Sequence, residues 1–88
     1  MLVDRVETAE ELASAERAVR DGELLSVEWL RNRHRDQLDI GVDTTLTPAQ
    51  FKELLVYLQA LRDWPQSEHF PKIEHRPVAP PWIAEQTQ

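Results

Sequence analysis

Residues 46–65, LTPAQFKELLVYLQALRDWP, decide how this chain folds, because a helix start signal, an apolar stripe and a helix stop signal agree there. Thr47 is placed to cap the first turn with its hydroxyl group. Pro48 stands at the first helical position, where its missing N–H costs nothing. Gln50 stands three residues after the cap and completes the capping-box pattern. These signals predict that a helix begins at residue 48.

The apolar residues of the same stretch predict one continuous face and a definite end. Leu46 and Phe51 flank the first turn at the spacing of a hydrophobic staple. Pro65 is expected to end the helix, because proline disfavours the α conformation at the preceding residue, Trp64. The stripe recurs at intervals of three and four residues: Phe51, Leu54, Leu55, Leu58 and Leu61. We therefore predict a helix over residues 48–63.

A second helix is predicted upstream, over residues 8–21. Thr8 and Glu11 repeat the capping-box pattern at its start, and Gly22 is expected to end it. Its apolar stripe is thin and consists of Ala9, Leu12, Ala15 and Val19. A helix with so little apolar surface has to pack on a larger element to be stable.

A third helix is predicted over residues 26–39, with Ser26 as its cap and Gly41 as its stop. Its apolar face comprises Val27, Leu30, His34 and Leu38. The connector to the helix over 48–63 is short, so these two helices are expected to be antiparallel. The predicted fold class is all-α, a small bundle of about three helices in a helical domain of residues 1–63.

The helix over 26–39 also carries a basic run, which consists of Arg31, Arg33, His34 and Arg35. In one interpretation this run is a solvated face whose arginines pair with Glu28, with Asp36 and with the acidic first helix. In the other it is a docking patch for an acidic protein segment.

The composition changes after residue 63, and residues 64–88 form a proline-rich tail. Its prolines predict an extended or polyproline-like backbone: Pro65, Pro71, Pro77, Pro80 and Pro81. The tail also carries large apolar side chains: Trp64, Phe70, Ile73, Val78, Trp82 and Ile83. Such side chains either complete the thin core of the helices or anchor the tail to a partner, since Trp is enriched at binding hot spots.

Length and charge bound the class of protein. The 88 residues form one small domain without room for a large active-site cavity. A net charge of −6 argues against a nucleic-acid partner, which requires a basic footprint. No apolar run approaches the about 20 residues that span a bilayer, and the acidic start MLVDRVETAEE differs from a signal peptide. We expect a soluble, cytoplasmic protein with no membrane partner.

No pattern of catalytic or metal-binding residues is recognisable. The three histidines, His34, His69 and His75, lack the spacing of helical metal ligands, and Pro71 interrupts the segment between the last two. The carboxylates are spread over helix surfaces, and no nucleophile stands in a recognisable catalytic neighbourhood. We predict no enzyme activity, no catalytic residues, no metal site and no cofactor.

The stretch YLQALRDWPQSEHFP, residues 57–71, resembles the tail assembly chaperone family of tailed bacteriophages, whose members are also called tail fibre assembly proteins. The resemblance covers roughly residues 33–81, and Arg76 stands where members often have Trp. The positions that match the family pattern are Thr47, Tyr57, Ala60, Leu61, Arg62, Asp63, Pro65, Gln66, Phe70, Pro71, Pro77 and Pro80.

This resemblance implies a non-enzymatic binder that keeps a phage tail or tail fibre protein assembly-competent in the host bacterial cytoplasm. The expected partner contacts are Tyr57, Trp64, Phe70, Ile73 and Trp82. A structural motif is expected to set the angle at which the tail leaves the helix: Thr47, Leu61, Arg62, Asp63 and Pro65. In it, Arg62 would bond the last helical carbonyls and Asp63 would accept N–H groups from the following turn.

Other functions fit the same sequence. A small prophage-encoded acidic protein could bind and inhibit a host protein, and such binding would depend strongly on salt. A structural piece of the tail itself is a further alternative, which the presence of the protein in assembled particles would identify. The thin first helix and the apolar tail also leave room for a homodimer.

Overall fold

The computed structural model of the chain describes residues 8–86, which contain two α-helices and no β-strand. Helix α1 is Ala9–Ile40 and helix α2 is Pro48–Asp63. Three short 3-10 turns follow in the C-terminal segment, by which we mean residues 64–86: Trp64–Gln66, Ile73–His75 and Pro81–Glu85. Within the described range, neither helix is long and apolar enough to cross a membrane. The predicted all-α class is confirmed, and the division into a domain of residues 1–63 and a tail of residues 64–88 stays a prediction.

Helix α1 replaces the two predicted helices over 8–21 and 26–39, so the prediction of three helices is wrong. Gly22 lies inside the helix, and Ser26 is not a cap, because its hydroxyl donates to the Glu23 carbonyl at 3.0 Å. The true stop is Gly41, whose φ of 75° is the only positive value in the described chain. An exposed glycine inside a helix costs only about 1 kcal/mol, which packing along the rest of α1 offsets.

Local signals predict both ends of α1. The Thr8 side chain accepts from the Glu11 N–H at 3.1 Å, and the Glu11 carboxylate accepts from the Thr8 N–H at 3.3 Å, so the capping box is confirmed. At the other end the Gly41 and Val42 N–H groups donate to the Leu38 and Gln37 carbonyls. This pair of bonds is a Schellman motif, which requires a left-handed residue at Gly41.

We expect Gly22→Ala to stabilise the protein by about 1 kcal/mol, because alanine loses less backbone entropy than glycine in a helix. A Cβ atom at residue 22 meets no other atom within 4 Å. Urea denaturation followed by circular dichroism measures the change. Gly41→Ala is the matched control and should destabilise, because a left-handed φ strains any residue with a Cβ. Equal effects of the two substitutions would contradict this account of the helix.

Helix α2 begins as predicted and ends at the predicted residue. Thr47 and Gln50 form the capping box, with bonds of 3.0 and 2.9 Å, and Pro48 is the first helical residue. The helix ends at Asp63, but the expectation that Trp64 leaves the α region is wrong, since its φ and ψ are −52° and −47°. The α conformation before proline is disfavoured rather than forbidden, and the burial of the Trp64 side chain holds it there.

The two helices form an antiparallel hairpin. His34, near the end of α1, stacks on Phe51 at the start of α2, with ring centroids 3.9 Å apart. Glu23, earlier in α1, bonds Tyr57, which lies later in α2. The core lies between the helices and consists of Val27, Leu30, Leu46, Leu54, Tyr57, Leu58 and Leu61. Both members of the predicted staple lie at this core, with Leu46 buried and Phe51 packed against it.

The apolar face predicted for the first half of α1 is wrong. Its four residues, Ala9, Leu12, Ala15 and Val19, are all exposed. The face that turns toward the rest of the protein carries Glu23 and Glu16 instead, which lie about one and three turns before Val27. This half of α1 is therefore attached by polar contacts, which an apolar pattern does not reveal.

Candidate partner-binding surface

The C-terminal segment is fixed to the hairpin first by Trp64. This side chain is 4% exposed, and its indole N–H donates to a Glu16 carboxylate oxygen at 3.0 Å. Phe70 packs edge-on against the Trp64 ring with centroids 5.2 Å apart, and the Arg17 guanidinium lies 5.3 Å from the Phe70 ring. Trp64 therefore continues the core of the hairpin beyond the end of α2.

A buried ion pair makes the second attachment. Arg76 donates two hydrogen bonds to the Glu16 carboxylate, both 2.6 Å long, in a forked geometry. The Arg76 bonds hold the pKa of Glu16 below its ordinary value, against the opposing effect of burial, and the Trp64 bond acts in the same direction as Arg76. The carboxylate in turn raises the pKa of Arg76. Glu16 is thus ionised although only 4% of it is exposed, because Arg76 and Trp64 donate hydrogen bonds to its carboxylate.

The end of the segment makes the third attachment. Ala79, Trp82 and Ile83 pack against the core of the hairpin, and a cavity of about 440 Å³ remains beneath them, beside α1. Arg33 donates to the Gln86 side chain at 3.0 Å, and its guanidinium also lies 4.9 Å from the Trp29 ring. Within the described residues 64–86, Trp64, Trp82 and Ile83 pack on the core as one alternative for the tail predicts, whereas Ile73 and Val78 stay exposed.

Tyr57 links α2 to α1 beneath this segment. Its hydroxyl donates to a Glu23 carboxylate oxygen at 2.6 Å. Burial is the main cause that raises the pKa of the Tyr57 hydroxyl well above its ordinary value, and the Glu23 carboxylate raises it further.

We expect the hydrogen bond from Tyr57 to Glu23 to make the stability of the fold sensitive to high pH. A raised phenol pKa means that stability is complete below the unfolded value of about 10 and is lost as the pH rises above it. Tyr57 is the only tyrosine, so tyrosinate absorbance should rise together with the loss of helical circular dichroism. Tyr57→Phe should remove this alkaline transition and cost about 1–2 kcal/mol at neutral pH. Ionisation near pH 10 in a protein that keeps its full helicity would contradict the prediction.

An apolar groove, here called the α2 groove, runs between the outer face of α2 and the C-terminal segment. Its volume is about 760 Å³. On the helix side it is lined mainly by Ala49, Val56 and Ala60, and on the segment side by residues 77–81. Val56 is 62% exposed and Val78 is 88% exposed. The two ionic side chains at the groove, Lys52 and Glu53, are adjacent and opposite in sign, so the groove carries no net charge.

The five predicted partner contacts lie at different depths. Tyr57 and Trp64 are buried in the core, Phe70 and Trp82 are half-buried, and Ile73 is 65% exposed. The structure brings Trp64 and Phe70 together and places Tyr57 at the floor of the α2 groove. Whether any of them touches a partner stays a prediction.

The five predicted motif residues all lie around the turn into the C-terminal segment or at the start of α2. Thr47 caps α2, Leu61 is buried, and Pro65 lies in the first 3-10 turn. The predicted bonds of Arg62 and Asp63 differ from the structure. Arg20 donates to the Leu61 and Arg62 carbonyls at 3.5 and 3.4 Å, and Asp63 accepts from the Gln59 side chain at 3.1 Å.

Of the pairs expected for a solvated basic face, the described residues form Arg31–Glu28 at 2.9 Å, whereas His34 is buried and Arg33 bonds Gln86. His69 and His75 stack on each other with ring centroids 4.0 Å apart. Within residues 8–86, no group of three or more potential ligands is placed to hold a metal ion.

Sequence reasoning missed Glu16, Glu23 and Arg76, which join the C-terminal segment and α2 to α1. The spacing from Glu16 through Glu23, Val27, Leu30 and His34 follows a single helical face once α1 is taken as one helix. A carboxylate on such a face indicates a side chain that donates a hydrogen bond to it, as Arg76 does to Glu16 and Tyr57 does to Glu23.

Hairpin and segment together define a small all-α protein whose C-terminal segment folds across two antiparallel helices and presents an apolar groove beside them. Residues 13–81 match the family model described as phage tail assembly chaperone protein, and the chain belongs to this family. Comparisons with curated proteins and with solved structures find no significant match.

Proposed function

We propose that the chain is a non-enzymatic assembly chaperone that binds a phage tail or tail fibre protein in the cytoplasm of the host cell. Membership of the tail assembly chaperone family supports a tail protein as the partner. The observation that carries the proposal is the α2 groove, a mainly apolar surface without net charge in which Val56 and Val78 are strongly exposed. Exposed apolar surface of this kind is a frequent mark of protein interaction sites.

The proposed mechanism is the covering of apolar surface on the client before it assembles. An apolar surface of the client would bury Val56 and Val78 at the groove, and binding would favour the unassembled client by mass action. Ile73 is a further exposed apolar side chain, outside the groove lining. The net charge of −6 would keep the complex soluble. In this proposal Ile73, Phe70 and the exposed edge of Trp82 contact the client, whereas Tyr57 and Trp64 hold the segment in place.

Co-expression with the tail fibre protein of the same phage tests the function. We expect the fibre protein to be soluble only in the presence of this chain, and the two to co-elute in size-exclusion chromatography. The complex should persist at high salt, because apolar contacts are not screened. A fibre protein that is equally soluble alone, with no complex, would refute the proposal for that client. A complex with a host protein that dissociates at high salt would favour the inhibitor alternative, and presence in mature particles would favour a structural role.

A further inference from the structure

Residues 77–82, PVAPPW, repeat their exposure every three residues. The φ and ψ angles of Arg76 and Pro80, −60°, 138° and −53°, 136°, are those of a polyproline II helix, which has three residues per turn. Ala79 and Trp82, three residues apart, pack against the core. Val78 and Pro81, also three apart, are both exposed. The polyproline angles extend to Pro80, and Pro81 begins the 3-10 turn Pro81–Glu85, which also has three residues per turn. One side of residues 77–82 therefore faces the core and another faces solvent. We call Val78 and Pro81 the polyproline ridge.

The backbone beside the ridge is available to a partner. The carbonyl groups of residues 77–79 accept no hydrogen bond from any other part of residues 8–86. Prolines 77, 80 and 81 have no N–H group, so this stretch presents acceptors in excess of donors. Pairing as a β-strand is thereby limited, and side-chain donors of a partner are the natural complement.

The ridge is held rigid at both ends. On one side Arg76 is clamped to Glu16 by two bonds of 2.6 Å, and on the other Trp82 packs on the core and Gln86 is tied to Arg33. A segment that is already ordered in the free protein loses little entropy on binding. This rigidity distinguishes the ridge from a free proline-rich tail.

Charge narrows the class of partner further. No residue from 77 to 84 is ionic, and the Arg76 charge is neutralised by Glu16. Arg76 is therefore not available to form an ion pair with a partner. This excludes partners that bind a proline-rich segment through a flanking arginine. The complement is an uncharged groove lined by aromatic side chains, whose Trp N–H or Tyr O–H groups donate to the free carbonyls.

We propose that the polyproline ridge docks into an aromatic-lined, uncharged groove on the tail or tail fibre protein. The inference rests on the proposed function and specifies its partner surface. The half-buried tryptophan of this segment, Trp82, orients the ridge from beneath, and Val78 and Pro81 make the contact.

Calorimetric titration of the full chain with the purified tail fibre protein tests the ridge. Val78→Asp should weaken binding at least about tenfold, because it places a charge in an apolar contact. Pro80→Ala should weaken it about two- to fivefold through lost rigidity. Val42→Asp is the matched control, since Val42 is also exposed but lies in the connector between the helices. It should bind like the wild type.

The outcomes separate the ridge from the function. If the wild type binds the client and Val78→Asp binds it equally well, the ridge is not the contact surface. The chaperone proposal would still stand. Absence of wild-type binding would refute the chaperone proposal for this client, and the ridge assignment would fall with it. A free wild-type dimer that Val78→Asp converts to a monomer would overturn the inference by assigning the ridge to self-association. A photo-crosslinker at residue 78 should attach beside aromatic residues of the client, and attachment to a surface without them would also overturn it.

Discussion

Replacing Trp64 by Ala is expected to lower the free energy of unfolding by about 3–5 kcal/mol. The substitution removes the largest side chain of the core, which is 4% exposed, and leaves the Phe70 ring without its packing partner. It also takes one hydrogen bond from the buried Glu16 carboxylate. A domain of this size has a total stability of about 5–10 kcal/mol, so the variant should be partly unfolded at 37 °C.

Trp64→Phe separates the two contributions. Phenylalanine keeps most of the buried apolar area and removes only the indole N–H donor, so we expect a loss of about 1–2 kcal/mol. Urea denaturation of both variants, followed by circular dichroism, gives the comparison. If Trp64→Ala is as stable as the wild type, Trp64 is not part of the core, and the partner-anchoring interpretation of this residue gains weight.

Arg76→Ala is expected to destabilise the fold by about 2–3 kcal/mol. Removing one partner of a fully buried ion pair costs about 3–5 kcal/mol, because an unpaired charge is left behind. The Arg76 side chain is 34% exposed, so water can partly replace it, and the expected cost is smaller. Arg62→Ala, an exposed arginine on α2, is the matched control and should cost under about 0.5 kcal/mol.

The same pair should control stability in acid. Because Arg76 lowers the pKa of Glu16, its contribution is complete above the unfolded carboxyl value of about 4.3 and is lost as the pH falls toward the folded value. Arg76→Ala should therefore flatten the loss of stability between about pH 5 and pH 3, measured by urea midpoints. If Arg76→Ala loses stability in acid as steeply as the wild type, the Glu16–Arg76 pair is not the cause of that loss.

A double variant tests the role of the pair itself. Glu16→Gln with Arg76→Met should recover most of the stability that Arg76→Ala loses, because it removes the lone charge and keeps an oxygen that accepts from the Trp64 indole N–H. A double variant no better than the single one would mean that the geometry of the pair, rather than the avoidance of a lone charge, stabilises the segment.

Local signals were sufficient wherever a feature is made by residues close in sequence. The capping boxes at Thr8 and Thr47, the stop at Gly41 and the end of α2 at Asp63 all follow from residues within one helical turn. Gly22 shows where such reasoning fails. A glycine that ends a helix and a glycine inside one carry the same local signal, and only packing along α1 decides between them.

The attachment of the C-terminal segment could not be derived in the same way. Glu16 and Arg76 are separated by 60 positions, and nothing local to either indicates the other. The resemblance marks Arg76 only as a departure from an expected Trp and does not indicate its partner. The structure gives that departure a physical role, because Arg76 partners a carboxylate inside α1. Which apolar residues of the tail turn outward also depends on the three-residue repeat of residues 77–82, which is visible only once Ala79 and Trp82 are placed.

The contacts that hold the polyproline ridge join residues far apart in sequence, so they form only late in synthesis of the protein. Two hydrogen-bonded pairs hold the ridge. Glu16 and Arg76 are 60 positions apart in sequence, and Arg33 and Gln86 are 53 positions apart. A nascent chain emerges from the ribosome with its N-terminus first, and its domains form as units during synthesis. We therefore expect that a nascent chain lacking Arg76 and Gln86 displays α1 without a rigid ridge, and that the client is bound only after both residues have emerged. Ribosome-bound chains stalled before residue 76 should bind no fibre protein, whereas released full-length chains should.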